Sequence, residues 1–194
     1  MHKTKIKFIA VIVGLITSAR VDALSINEID EQLELLSLEK LAFIQSRPEN
    51  SIAPFATDGC SGGMSDGWRY LSGLFPSFSK RYSNKPPWES CCVAHDRIYW
   101  RGETENGYMK RKQADLELRA CVVETGKSES KELANKYNTS AIEIEESFAI
   151  AVDLMYRAVR IGGKPCTLLP WRWGYGWPNC SLLTDEKFEE EDMD

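Results

Sequence analysis

Apolar residues recur along this chain at three- and four-residue intervals, the period of helices rather than strands. Ile29, Leu33, Leu36 and Ile44 form one such stripe, stopped by Arg47-Pro48. Ser25 precedes it with Glu28 three residues on, a capping-box pattern, so a first helix is predicted over about 26–46. That helix can be a packed element, a propeptide or an interfacial helix. Residues 48–87, rich in Gly, Ser and Pro, read as loop, with Thr57 to Met64 the most specialised part. Pro86-Pro87 opens a second helix over about 87–101, closed by Gly102. A third, over about 107–124, carries Asp115, Leu118 and Cys121 and is predicted to end near Gly126. Ser140 and Glu143 form another capping box, opening a fourth helix whose stripe of Ile144, Phe148, Val152, Met155 and Val159 runs toward Gly162-Gly163. Pro165 to Cys180 follows, with Trp171, Trp173, Tyr175 and Trp177. The chain is mainly α, without internal repeats, and no strand signal is strong enough to assign.

The two ends depart from this pattern. Residues 1–23 have a basic start (Lys3, Lys5, Lys7), an apolar run from Phe8 to Ile16 and a close at Val21-Asp22-Ala23. This is the layout of a secretory signal peptide, cleaved after Ala23 or alternatively after Ala19. The apolar run is shorter than the roughly 20 residues a membrane span needs. The expected mature protein is soluble and exported, either secreted or periplasmic. Losing residues 1–23 removes four basic side chains and one acid, taking the formal charge from −5 to −8. Residues 185–194 carry seven acids against Lys187, so the acidity is mostly a disordered tail behind one domain over 24–184. No basic stripe points to nucleic acid.

Export changes how the cysteines read. All six, at 60, 91, 92, 121, 166 and 180, follow the signal segment, and an oxidising compartment turns them into three disulfides. Zinc on Cys91, Cys92 and His95 is the rival reading, but it lacks the usual ligand spacing and a second histidine. His95 is the only histidine apart from His2, so histidine chemistry in the mature chain passes through it. On a helix Cys91, His95 and Tyr99 share one face, and Cys92 and Asp96 share a neighbouring one.

The run Cys91-Cys92-Val93-Ala94-His95-Asp96 resembles the active-site helix of the secreted phospholipase A2 family. In that family an antiparallel helix carries an aspartate six residues before a cysteine that bridges to the first of the pair, and Asp115 and Cys121 have that spacing. With Cys91 bonded to Cys121, a rise of about 1.5 Å per residue sets Asp115 between His95 and Tyr99 along the helix axis. The resemblance also pairs Cys60 with Cys92, which leaves Cys166 for Cys180. It implies a phospholipase A2-like fold, two antiparallel disulfide-linked helices beside a calcium loop, here with extra N- and C-terminal helices. Its implied catalytic set is His95, Asp115 and Tyr99.

By the same resemblance Asp58-Gly59-Cys60-Ser61-Gly62-Gly63 matches the calcium loop. Ca2+ takes six to eight oxygens, often backbone carbonyls plus a carboxylate, and glycine lets a loop turn tightly enough to present them. The implied ligands are Asp96 with the carbonyls of Gly59, Ser61 and Gly63, or with the loop acid Asp58. The family's first loop cysteine is absent, Ser61 stands where glycine is usual, and two further family cysteines are replaced by Ile98 and Ala114. The match covers about residues 57–122.

The activity so implied is calcium-dependent hydrolysis of the sn-2 ester of glycerophospholipids at a membrane or micelle surface. His95, oriented by Asp115, would activate water, and a loop N–H at Ser61 would help hold the oxyanion. A serine-triad hydrolase is the competing enzyme class. A catalytically inactive secreted binding protein or toxin on the same scaffold is the alternative outside enzymes. In that case Trp171, Trp173 and Trp177 could face a partner, whereas in a lipase they could anchor at a bilayer, and plain packing is their third reading.

Overall fold

A computed structural model describes residues 25–60 and 86–182. The segment expected to be a signal peptide, residues 61–85 of the long loop and the acidic tail therefore lie outside the described residues. Four α-helices and a short 3-10 turn form the regular structure of the described part, which contains no strand. They are α1 Ile26–Ser46, α2 Glu89–Arg101, α3 Gly107–Tyr137, α4 Ala141–Gly162 and the turn Cys180–Leu182. Both capping boxes form, each serine accepting from the glutamate N–H while the glutamate side chain accepts from the serine N–H. Gly102 closes α2 in the left-handed conformation, φ +58°, and donates its N–H to the carbonyl of Ile98.

Two expectations about these helices are corrected. Three of the four residues in the stripe predicted for α1 face outward, Ile29, Leu33 and Leu36 being exposed at 46%, 57% and 55%, while Ile44 is buried as expected. The buried face joins Ile44 with Glu34, Leu38 and Leu41. Glu34 reaches this face because Arg111 meets it there, and an acid in the inward register hides that stripe from a pattern of apolar residues alone. The third helix, expected to end near Gly126, continues to Tyr137. A Cβ on Gly126 would lie 2.7 Å from the Cβ of Phe148, so this glycine is the notch that lets α3 close on α4. A mid-helix glycine costs about 1 kcal/mol relative to alanine, which close packing offsets. Beyond it, Leu133 and Ala134 bury against the same partner and hold the extension helical.

α3 and α4 are joined by a short turn in which Asn138 is left-handed, φ +53°, and Ser140 caps the next helix. Their shared core, with Trp88 and the cysteines of α2, contains Leu118, Val122, Leu133, Phe148, Val152, Met155 and Val159. A second cluster gathers Leu38 and Leu41 of α1 with Tyr99, Ala114 and Trp173. The disulfides are Cys60 to Cys92, Cys91 to Cys121 and Cys166 to Cys180. Cys91 meets Cys121 while Tyr99, further along α2, meets Arg111, earlier in α3, so the two helices run antiparallel.

The tryptophan-rich strap closes the end of α2. A helix leaves its last four carbonyls without internal partners. Gly102 takes Ile98 at 3.2 Å, Gly174 takes Tyr99 at 2.7 Å, Gly176 takes Trp100 at 3.1 Å, and the Trp177 indole takes Arg101 at 2.9 Å. Trp173 is fully buried and donates its indole N–H to the carbonyl of Glu103. Packing and capping are thus the roles of Trp173 and Trp177.

Candidate functional site

Burial of the polar face of α2 creates the site. His95 is 4% exposed, Tyr99 1% and Asp115 0%, so each needs a partner. Asp115 Oδ1 lies 2.9 Å from His95 Nε2 and accepts the Tyr99 hydroxyl at 2.6 Å. The Tyr99 ring packs against the imidazole with centroids 4.1 Å apart and planes tilted by 33°, which restricts the imidazole's rotation. A carboxylate oxygen only accepts, so Nε2 carries the hydrogen and the imidazole lone pair is on Nδ1. Nδ1 is buried, has no hydrogen-bond partner among the described residues, and lies 3.9 Å from Asp96 Oδ1. Burial alone would lower the imidazole pKa, but the hydrogen bond to Asp115 and the negative charges of Asp115 and Asp96 outweigh it and raise the value.

Behind Asp115 lies a group of charges that pattern reading missed. Arg160 Nη1 donates to Asp115 Oδ2 at 2.9 Å, and Arg111 Nη1 lies 3.6 Å from the same oxygen. Arg111 grips Glu34 at both ends, Nε to Oε1 at 2.6 Å and Nη2 to Oε2 at 2.5 Å. Its Nη1 also donates to the carbonyl of Val159. The four charges cancel, as a buried cluster requires. The spacing of Arg111 and Asp115, four apart on α3, is the one signal in the sequence that could have announced them.

On the other side of His95, Asp96 Oδ2 accepts the Thr57 hydroxyl at 2.6 Å, and Thr57 Oγ1 in turn accepts the Gly59 N–H at 3.0 Å. Gly59 is left-handed, φ +74°, and the Cys60–Cys92 bridge holds this end of the loop on α2. Asp58 and Asp96 both line a cavity of about 320 Å³ walled by Ala56, Thr57, Pro170, Trp171 and Tyr175. Desolvation and the charge of Asp96 raise the Asp58 pKa, and burial with both carboxylates pushes the Tyr175 hydroxyl well up. Two hard oxygen donors that repel one another across a cavity fit a hard cation. No cluster of three or more His, Cys, Asp or Glu side chains able to hold a metal occurs among the described residues, so further ligands would be backbone or water oxygens. Ser61 and Gly63, expected to supply two of them, lie outside the described residues.

The structure therefore brings together His95, Asp115 and Tyr99, and separately Asp58, Gly59 and Asp96. Ile98 and Ala114, standing where the resemblance places a lost disulfide, line one groove between α2 and α3. Gly59-Cys60-Ser61-Gly62-Gly63 has the letters of a Gly-x-Ser-x-Gly nucleophile elbow, but the described chain leading into it, residues 51–58, is loop and not the strand such an elbow needs. Comparisons of the chain with protein-family models, with curated proteins and with solved structures give no match.

Proposed function

We propose that the protein is an exported ester hydrolase of the secreted phospholipase A2 type, acting with calcium on the sn-2 ester of glycerophospholipids. The observation that carries this reading is the environment of His95. Nε2 is bonded to a buried carboxylate, and Nδ1 is buried, unpartnered among the described residues and 3.9 Å from a second carboxylate. A gap of that length between two polar atoms is the kind a bridging water fills, and a water there is within reach of Nδ1 as general base. His95 takes its proton, Asp115 holds the ring in the right tautomer and balances the charge it gains, and Tyr99 holds Asp115.

Asp96 and Asp58, with carbonyl oxygens of the Gly59 loop, are the residues that would hold Ca2+, which when bound polarises an ester carbonyl and neutralises a phosphate. Support for a lipid substrate comes from the cavity wall, to which Pro170 and Trp171 contribute beside the acids. Leu168, two residues before Pro170 in the chain, is 80% exposed, an apolar side chain available to apolar chains. Three disulfides are consistent with an exported protein.

A second reading is an inactive binding protein on the same scaffold, since among the described residues only two acids, Asp58 and Asp96, line the cavity. Release of fatty acid from phospholipid labelled at sn-2, with and without calcium, decides between them. Calcium-dependent release is expected, and calcium binding without any release would establish the binder.

A further inference from the structure

Arg160 lies on α4, outside the segment that carries the catalytic resemblance, yet its guanidinium closes the site from behind. It donates to Asp115 Oδ2 at 2.9 Å and is only 17% exposed at its side chain. Arg111 is nearer the centre of the cluster, but its Nε and Nη2 are both committed to Glu34. Its approach to Asp115 is 3.6 Å, beyond hydrogen-bond length. Arg160 is therefore the cation whose short, charge-assisted bond serves Asp115 directly, while its Nη2 stays 3.6 Å from Glu34.

The consequence concerns which nitrogen of His95 carries hydrogen. As a carboxylate, Asp115 accepts from Nε2 and leaves the lone pair on Nδ1, the nitrogen facing Asp96. If Asp115 held a proton, its hydroxyl would donate to Nε2, the hydrogen would sit on Nδ1, and no base would face Asp96. A carboxylate at a fully buried position needs a charge that compensates its lost hydration. We infer that Arg160 is a positioning residue that keeps Asp115 a carboxylate and so sets the His95 tautomer in which Nδ1 is the base. This inference rests on the hydrolase reading for its effect on turnover, but its geometric core does not.

The test uses the full mature protein with uniformly 15N-labelled histidine. His95 is the only histidine once residues 1–23 are gone, so no residue assignment is needed, and its Nδ1 and Nε2 are told apart by their different couplings to the two ring C–H protons. In the wild type, calcium-free and at a pH where the ring is neutral, the Nε2–H tautomer should dominate. Arg160→Met should shift the ring toward Nδ1–H and lower kcat about 10- to 100-fold, the usual effect of removing a group that orients a catalytic ligand. KM should stay within about twofold. Arg160→Lys, which keeps the charge, should restore the wild-type tautomer and most of the rate.

If Arg160→Met does not fold, Arg160→Gln against Arg160→Lys decides the matter, since only lysine supplies charge. A wild-type tautomer in Arg160→Met, or in Arg160→Gln where that is the variant read, overturns the inference whatever the activity. A tautomer shift in a protein without hydrolase activity upholds the positioning role and sinks the proposed function alone.

Discussion

Glu34 on α1 and Arg111 on α3, 77 positions apart, meet as a two-pronged ion pair with neither side chain exposed to solvent. Through this pair the N-terminal helix reaches the group that holds Asp115. Glu34→Ala would leave a buried guanidinium without its main acceptor, and removing one partner of such a pair costs roughly 3–5 kcal/mol. Denaturant unfolding should show that loss. A change under about 1 kcal/mol, the range of a surface pair, would mean that α1 is not locked to α3 in this way.

His95→Gln should lower turnover by about two to four orders of magnitude, the contribution of a positioned general base. Calcium binding should survive, because the side chains proposed to hold the ion remain. Asp115→Asn should cost less, as it orients the ring without moving the proton itself. Full calcium-dependent hydrolysis in His95→Gln would end the catalytic reading, for His2 lies in the segment expected to be removed.

The pH dependence follows from the sign of the His95 shift. Its folded pKa is raised, and only the neutral ring accepts a proton, so activity should rise with pH through a midpoint above the ordinary 6.5. A raised folded value also means that the charged ring adds stability. That contribution is complete below the unfolded pKa and is lost as pH rises through the folded one. Unfolding of the calcium-free wild type and of His95→Gln, compared from about pH 5 to 9, should therefore give a wild-type advantage that shrinks with rising pH. An advantage that grows across that window would reverse the assigned sign.

Asp96→Asn should abolish calcium binding measured by calorimetry, and with it activity, while the fold is retained. Thr57 can still donate to the amide oxygen that replaces Oδ2. Asp58→Asn should weaken binding less, because Asp58 stands at the exposed edge of the cavity. Unchanged affinity in Asp96→Asn would put the ion elsewhere.

Gly126→Ala inverts the usual rule for helices. In an open helix this change stabilises by about 1 kcal/mol. Here the new methyl group meets Phe148 at 2.7 Å, so thermal unfolding should show destabilisation instead. A rise in Tm would mean that α3 and α4 do not close at this point.

Local order in this protein is written in nearest-neighbour chemistry. The two capping boxes, the glycine that ends α2 and the stripe on α4 rest on residues within one or two helical turns, and those elements formed where the sequence placed them. The spacing of His95, Tyr99, Asp115 and Cys121 likewise constrains which residues can meet once two helices are antiparallel, and three of them meet at one carboxylate oxygen. What the sequence left open depended on contacts between distant segments. Gly126 reads as a stop until Phe148 is seen against it, and Glu34 reads as a surface acid until Arg111 is placed opposite. Arg160 carries no local sign of its role, because a guanidinium near a helix end is ordinarily solvated. Only the packing of α4 against α3 brings it to Asp115, 45 residues away, where burial turns an unremarkable cation into the partner of a buried carboxylate.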